Sequence, residues 1–413
     1  MSAFACNPYS GSEEGVGWGW VKALTKHHDI WIITADFHRT TIEKAIQDTT
    51  KSLSHLKFHF VTPKPWHFSP TKSWQFIEKS IFKPIMNCAY RLWQRDAFQA
   101  AKELHCEFKF DIVHQLTYVG FRFPGHLWKL DLPFVWGPIG GLENTPWHFL
   151  PKLGFGGCLY YAGRNIINTF DKRYLPGPKK AFKNSRGGII AATGGIRQEI
   201  SRWYGEESTV ICEIGQPPNI ARSHSIRKPG ETLRLSWSGQ HLPGKALPML
   251  LYALFNLPSD LKWQMDILGN GPCTKKWRQL AGKLGVNDCC NWYGNLQRIG
   301  AIRRVYQSHL FIITSMKDLT STVLLEALSQ GVPVICPDHC GFADVVTEEC
   351  GIKIAVKTPR QLITDLAVAI MLLEKDEEKR RRLAKGALRR IEKFSWEEKA
   401  RQVDLIYRQM TNK

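Results

Sequence analysis

The chain has 413 residues, enough for two domains of roughly 200 residues or three small ones, and its 43% hydrophobic content can fill complete cores. No apolar run approaches the roughly 20 residues of a membrane span, and the start, MSAFACNPYSGSEEG, lacks the basic and apolar regions of a secretory signal. The formal net charge of +19 suits nucleic acid, anionic lipid or a phosphate-bearing substrate, while eleven scattered cysteines, an odd number, argue against a complete disulfide framework. Cys289-Cys290 and Cys336-x3-Cys340 match no common zinc spacing, so the composition predicts a reduced, cytoplasmic protein.

Short apolar runs alternate with helical patterns along almost the whole chain. In order, strands are predicted at Ile30–Thr34, Phe58–Val61, Ile112–Gln115, Phe134–Trp136, Gly188–Ala192, Val210–Ile214, Leu233–Trp237, Gln264–Leu268, Leu310–Ile313 and Pro333–Cys336. Helices are predicted at Val21–Lys26, Ile196–Tyr204, Leu247–Phe255, Lys275–Leu284, Ile299–Gln307 and Val323–Gln330. This alternation implies α/β architecture, parallel sheets covered by helices. Around ARSHSIRKPGET, Ala221 to Thr232, the apolar pattern lapses and Pro229-Gly230 punctuates it. The expected division is a first domain over 1–222, a linker over 223–231, a second domain over 232–393 and a terminal helix over 394–413.

Charge is unevenly spread. Residues 51–100 hold eight basic residues, from Lys51 to Arg95, against only Glu78 and Asp96, and Trp66, Phe68, Trp74, Phe76, Phe82 and Trp93 are interleaved with them. Such a mixture fits an anionic membrane surface, where aromatic rings settle at headgroup level; it also fits a solvated face over ordinary core aromatics. The later run KRRRLAKGALRR, Lys379 to Arg390, reads as a solvated helix face.

Four stretches carry candidate chemistry. DILGNGP places Gly269 and Gly271 between a strand and a helix, where glycine permits close backbone approach to a ligand or simply makes the turn. LSWSGQHLPGKALPMLL puts Lys245 near a helix start, so that cation and helix end both offer positive potential to a phosphate; a surface lysine is the plainer alternative. FIITSMKDLTSTVLLEALSQGVPVICP runs strand, polar turn, helix, strand, with Asp318 before the helix and Glu326 inside it. Ser321 and Thr322 suit its N-terminus, and free N–H groups there could hold a diphosphate. Glu326 among leucines, an acceptor only, suits the vicinal hydroxyls of a ribose. NPYSGSEEGVGWGW is a glycine-rich turn opening into a helix, but neither a P-loop nor GxGxxG.

In order, PYSGSEEGVGW, DIVHQL, GPIGG, SGQHLPGKALPMLLYAL, LGNGP, YGNL, SMKDLTSTVLLEALSQGVPVI and FSWEEKARQVDLIY resemble the GT-B retaining glycosyltransferases, family 4 (glycosyl transferases group 1) in particular, over nearly the whole chain. The resemblance implies two Rossmann-like domains with parallel sheets facing across a cleft, the first binding an acceptor and the second a nucleotide-sugar. The terminal helix would pack back on the first domain. By the same resemblance the family's Glu-x7-Glu motif falls on Asp318 and Glu326, facing donor sugar and ribose. Backbone around Ser321, Thr322 and Val323 would meet the diphosphate, which Lys245 neutralises. Gly269 and Gly271 would line the nucleotide pocket, and Tyr293, before Gly294, would lie near the base. Gly11 and Ser12 match the paired glycines of the acceptor-side loop, and His114 matches a histidine at a strand end near the cleft; a buried structural histidine is the alternative.

Four departures from the family's pattern stand out. Asp318 is one methylene shorter than glutamate. Gln240 replaces an arginine beside the phosphate lysine, a loss for which His241 or another nearby base would have to compensate. Ser12 replaces the second glycine. Only MSAFAC precedes the first loop, which suggests a late start or a shortened first strand. The implied activity is transfer of a sugar, of the hexosyltransferase class, from a nucleoside-diphosphate sugar to a saccharide or lipid-linked acceptor. It would need no metal or further cofactor, and would serve surface polysaccharide or glycolipid synthesis at the cytoplasmic face of a membrane. Two rivals are a catalytically impaired relative acting as a binding subunit, and a basic nucleic-acid-binding protein. The second lacks any recognised motif and spreads its basic residues over both halves, so no nucleic acid partner is expected.

Overall fold

The computed structural model describes residues 1–48, 55–62, 79–216, 227–228 and 230–411. Two wholly parallel sheets form its frame. The first joins β1 (Ser2–Ala3), β2 (Ile30–Ala35), β3 (Leu56–Val61), β4 (Val113–Thr117), β5 (Phe134–Ile139), β6 (Ile189–Ala191) and β7 (Thr209–Val210) in the order β3-β2-β1-β4-β5-β6-β7. The second joins β8 (Leu233–Ser238), β9 (Trp263–Leu268), β10 (Cys290–Gly294), β11 (Leu310–Ile312), β12 (Val334–Pro337) and β13 (Gly351–Ile354) in the order β10-β9-β8-β11-β12-β13. Strands such as β5 are buried at every position, because helices cover both faces of a parallel sheet. Each sheet therefore reads in sequence as continuous apolar runs.

The helices of the first domain are α1 (Ser12–Leu24), α2 (Arg39–Gln47), α3 (Lys79–Phe108), α4 (Phe155–Tyr174), α5 (Pro176–Asn184) and α6 (Gly194–Tyr204). Those of the second are α7 (Leu247–Phe255), α8 (Thr274–Lys283), α9 (Arg298–Tyr306), α10 (Thr322–Ser329), α11 (Phe342–Val345), α12 (Pro359–Lys375) and α13 (Glu377–Glu392). The last helix, α14 (Trp396–Thr411), crosses back and lies on α1.

Several sequence expectations change here. Two of the missed strands are β10 and β13, and helix α1 begins at Ser12 rather than Val21. The run Val210–Ile214 is strand only at its first residue; Ile211 to Ile214 leave the sheet, buried. Residues 51–54 and 63–78 of the basic-aromatic stretch, and residues 223–226 and 229 of the linker, lie outside the described residues. Further along, Tyr90 and Trp93 are core residues: Tyr90 Oη donates to Thr117 O at 2.9 Å and Trp93 Nε1 to Val61 O at 3.2 Å. In α13 Arg381, Arg382 and Arg389 are exposed, but Arg380 is wholly buried and paired with Glu377.

The glycines of SEEGVGWGW serve packing. A Cβ on Gly17 would stand 2.0 Å from Ala5 O, and one on Gly19 would stand 2.3 Å from the Trp396 ring. A Cβ on Gly215 would stand 2.3 Å from the same indole, and Trp20 crosses it edge-on with ring centroids 5.6 Å apart. Trp396 thus clamps α14 between two glycines of the first domain. Gly215→Ala should lower the denaturant midpoint by an amount equivalent to about 1–3 kcal/mol, the usual cost of overpacking. Gly11→Ala, whose added Cβ meets nothing within 4 Å, should leave it unchanged. Equal midpoints for Gly215→Ala and wild type would refute the clamp.

Candidate active site

Strand order reverses in the second sheet between β8 and β11, so the loops leaving these neighbours diverge and open a crevice at the carboxyl ends. Lys245 closes a 3-10 turn, Pro243–Lys245, that follows β8, and Asp318 stands in the loop that follows β11. Their side chains form an ion pair, each 19% exposed. The two loops are stitched below it: Thr314 Oγ1 donates to Lys245 O at 2.7 Å, and Met316 N–H donates to Gly244 O at 2.8 Å. Asp318 Oδ1 accepts the Leu319 N–H at 3.1 Å, which fixes the carboxylate.

Helix α10 starts beside this pair. Ser321 is its cap but makes no side-chain hydrogen bond, and the first N–H groups of any helix lack intrahelical acceptors. Thr322 is exposed there, with Val323 partly so. One turn on, Glu326 is 7% exposed; burial raises its pKa, and Arg298, donating from Nε to Oε1 at 2.9 Å, draws it back. Arg298, the first residue of α9, is missing from the residues the sequence pointed to. Lys245, Asp318, Ser321, Thr322, Val323 and Glu326 therefore lie on the two loops and the helix start that border one crevice.

Other predicted residues have different settings. A Cβ on Gly269 would stand 2.0 Å from Gly239 O and one on Gly271 2.8 Å from His241 O, so both glycines let the loop after β9 press on the loop after β8. Tyr293 lies on edge strand β10, with the Arg304 guanidinium 4.3 Å above its ring. Gln240 is exposed. His241 cannot serve as the compensating base: its ring is buried against Trp237, Trp277 and Trp292, its Nδ1 meets Thr274 Oγ1 at 2.8 Å, and burial pulls its pKa down to about 4. Gly11 is the exposed cap residue of α1; the Ser12 side chain lies outside the described residues.

His114 is a correction. It stands near the amino end of β4, beside Met1 and Ile30, at the end of the sheet away from the crevice. Both ring nitrogens are taken, Nδ1 by Tyr407 Oη at 2.6 Å and Nε2 by Gly137 O at 2.7 Å, and burial pulls its pKa down to about 4. The buried structural reading holds, and α14 supplies its partner.

The first sheet has its own reversal, between β1 and β4. There Glu13 Oε1 accepts the Val119 N–H at 2.6 Å, and burial pushes the carboxyl up to about 7. Between the sheets Lys317 Nζ donates to Glu143 O; burial, then Arg164, draws this lysine down to about 8. His339 lies close by, its Nε2 buried without a partner among the described residues. The only signal for Lys317 in the sequence was its place beside Asp318, and that for Glu13 its place in the PYSGSEEGVGW stretch at the start of α1; Glu143, a few residues past β5, had none. Among the described residues no group of three His, Cys, Asp or Glu side chains is placed to hold a metal ion.

Two facing parallel sheets with their crevices at the carboxyl ends constitute a GT-B fold. Residues 223–390 match the family described as glycosyl transferases group 1. The chain is 24% identical over 152 residues to a sulfoquinovosyl transferase of Arabidopsis thaliana, a match spanning 37% of this chain and 28% of that protein. Among solved structures it is similar to sucrose-phosphate synthase from Thermosynechococcus elongatus, with TM-score 0.63, 14% identity and coverage of 100% of this chain and 98% of that one. It is also similar to WaaG, a glycosyltransferase involved in lipopolysaccharide biosynthesis, with TM-score 0.57, 18% identity and coverage of 98% and 99%. The Anabaena protein HepE, in complex with UDP-glucose, gives TM-score 0.55 at 15% identity over 98% of both chains.

An unfolded imidazole takes its proton near pH 6.5, whereas His114 and His241 resist it down to about 4. Across that window the unfolded chain binds more protons. Each histidine thus contributes stability that is whole above about 6.5 and is lost as pH falls toward 4. The ring signals of His114 should stay constant in an NMR titration from pH 8 to 5; a midpoint near 6.5 would show an exposed imidazole instead.

Proposed function

We propose that the protein is a retaining glycosyltransferase that moves a sugar, of the hexosyl class, from a nucleoside-diphosphate sugar to a saccharide or lipid-linked acceptor. The observation that carries this reading is the Lys245–Asp318 pair at the strand-order reversal, beside the uncapped start of α10. The group 1 match supports it, since residues 223–390 include Lys245, Asp318 and Glu326. The HepE complex makes UDP-sugars the first donors to test.

In this reading the donor diphosphate takes Lys245 from Asp318 and lies on the N–H groups of Ser321, Thr322 and Val323. Asp318, released, turns to the sugar hydroxyls. Glu326 keeps Arg298 on Oε1 and offers its other oxygen to the ribose. Tyr293 and the loops of Gly269 and Gly271 border the base. As the bond to the anomeric carbon breaks, charge gathers on the leaving phosphate, where Lys245 and the helix-end amides stabilise it. The acceptor hydroxyl attacks from the face of departure and passes its proton to the leaving phosphate, so no protein base is needed. The acceptor half is the first domain, near Gly11, Ser12 and Glu13, and the reaction belongs to surface polysaccharide or glycolipid synthesis on the cytoplasmic face of a membrane.

Gln240 and the pairing of Asp318 with Lys245 favour one second reading, a relative that binds donor without turning it over. Calorimetry with UDP-sugars together with an assay of hydrolysis and transfer separates the two, since tight binding with neither product belongs to the second.

Lys245→Ala and Glu326→Ala should each lower kcat/KM about 10- to 150-fold, the loss of one charge-assisted contact worth about 1.5–3 kcal/mol. Wild-type kinetics in both, with the fold intact, would move the donor site elsewhere. Gln240→Arg tests the missing cation in the gain direction. A guanidinium fork fits phosphate oxygens bidentately, so donor affinity or rate should rise. An unchanged or weaker donor interaction would mean that another group already fills the role.

A further inference from the structure

Helix α4 is amphipathic the wrong way round. Its inner face packs Gly157 and Tyr161 at the start and is polar from there on: Asn165 Oδ1 accepts the Thr145 N–H at 2.9 Å, Asn168 Nδ2 donates to Leu142 O at 2.9 Å, and Lys172 is buried, paired with Glu199. Its outer face is apolar. At about 100° per residue, Phe155, Leu159, Ile166, Phe170 and Tyr174 line up, with Tyr160 and Ile167 beside them, in an arc of about 140°. All seven are between 54% and 90% exposed. Gly156 and Gly163 share the arc, and Arg173 stands at its edge. A surface helix ordinarily turns its apolar stripe inward. Scattered exposed hydrophobic residues need no explanation, but a continuous stripe on one helix marks an interaction surface.

The charge around this stripe says what covers it. Lys152, Arg173, Lys179, Lys180, Lys183 and Arg186 are exposed on and around α4 and α5. Between residues 147 and 187 the only acid is Asp171, which is held by Arg122. At the carboxyl end of α4, by Leu175 and Pro176, opens a cavity of about 410 Å³ lined by Arg91, Arg95, Arg122, Lys129 and Lys180, with no acidic residue in its lining. An apolar stripe with tyrosines along it, rimmed by basic residues, fits one surface: acyl chains beneath phosphate headgroups.

We propose that the outer face of α4 docks flat on an anionic lipid bilayer, its apolar stripe below the headgroups and its basic rim, with the cavity beside it, on their phosphates. Among the described residues no helix is long and apolar enough to cross a membrane, so the attachment is to one leaflet. The inner side of α4, at Gly157 and Tyr161, packs on the Pro243–Lys245 turn, so the exposed stripe is turned away from it, and the inference does not rest on the transfer reaction.

The test is co-sedimentation of the full chain with vesicles of phosphatidylcholine alone and of phosphatidylcholine containing about one-third phosphatidylglycerol. The wild type should partition at least tenfold more strongly onto the anionic vesicles. Ile166→Asp with Phe170→Asp should reduce that partition at least tenfold, and so should the single change Phe155→Asp, which guards against a folding defect in the double variant. Lys179→Glu, Lys180→Glu and Lys183→Glu together should erase the preference for anionic lipid. Thermal denaturation of each variant should match the wild type. Undiminished binding in the apolar variants, or no binding by the wild type, overturns the proposal. So does a wild-type dimer in sedimentation velocity that the apolar variants dissolve, since a second copy would then be the occupant.

Discussion

The Glu213 carboxylate accepts the Thr320 N–H at 2.9 Å across the junction of the two sheets, and much of the molecule's arrangement follows from this bond. Thr320 belongs to the loop that presents Asp318, so the donor-side loop is fixed by a side chain of the first domain. The backbone around Glu213 ties in two more elements. Its own carbonyl accepts from Trp20 Nε1 of α1 at 2.9 Å, and the Cys212 carbonyl accepts from Lys399 Nζ of α14. Burial pushes the carboxyl up to about 7, against the pull of the Thr320 N–H and Lys399. A buried group that loses its partner costs more than the bond was worth. The first domain, the C-terminal helix and the loop of Asp318 therefore hold their places together or not at all.

A second constraint is topological. In each sheet the strand order reverses once, and in each an acid stands at the reversal: Glu13 with the Val119 N–H in the first, Asp318 with Lys245 in the second. The two differ in what satisfies them. Glu13 is held by an amide and kept partly protonated near neutral pH by burial; Asp318 is held by a cation and an amide. One crevice thus carries a proton-bearing carboxyl and the other a neutralised ion pair. A further inter-domain bond, Gly194 N–H to Asp344 Oδ2 at 2.7 Å, supports the same juxtaposition at the start of α6.

Much of the frame was legible in the sequence because a covered parallel strand must be apolar at nearly every position, as in FVWGPI and the LFI run of β11. What escaped had mixed or inverted patterns. Strand β13, GIKI, alternates over only four residues, and β10, CNWYG, is an edge strand half-buried at all but its first position. Helix α4 defeated periodicity reasoning outright, since its polar residues face inward. At the site, the residues on consecutive chain were readable: Asp318, Ser321, Thr322 and Glu326 share one strand-turn-helix. Partners brought by other elements were not, as with Arg298 on Glu326 and Tyr407 on His114. Glycines are ambiguous in a consistent way, because a close approach of backbone to backbone, as at Gly269, leaves the same trace in sequence as an approach to a ligand.

The return of α14 to the first domain means that the chain passes between the two bodies twice. The two passages touch where the first one starts: the Gln216 N–H donates to Phe394 O at 2.8 Å, and Trp396 follows two residues later against Gly19 and Gly215. A two-ply hinge of this kind behaves unlike a single linker. It resists stretching and twisting, because either would shear one ply against the other, and leaves bending as the soft direction. Opening either crevice wider would therefore bend the chain at this junction and break the Glu213–Thr320 and Gly194–Asp344 bonds that cross it.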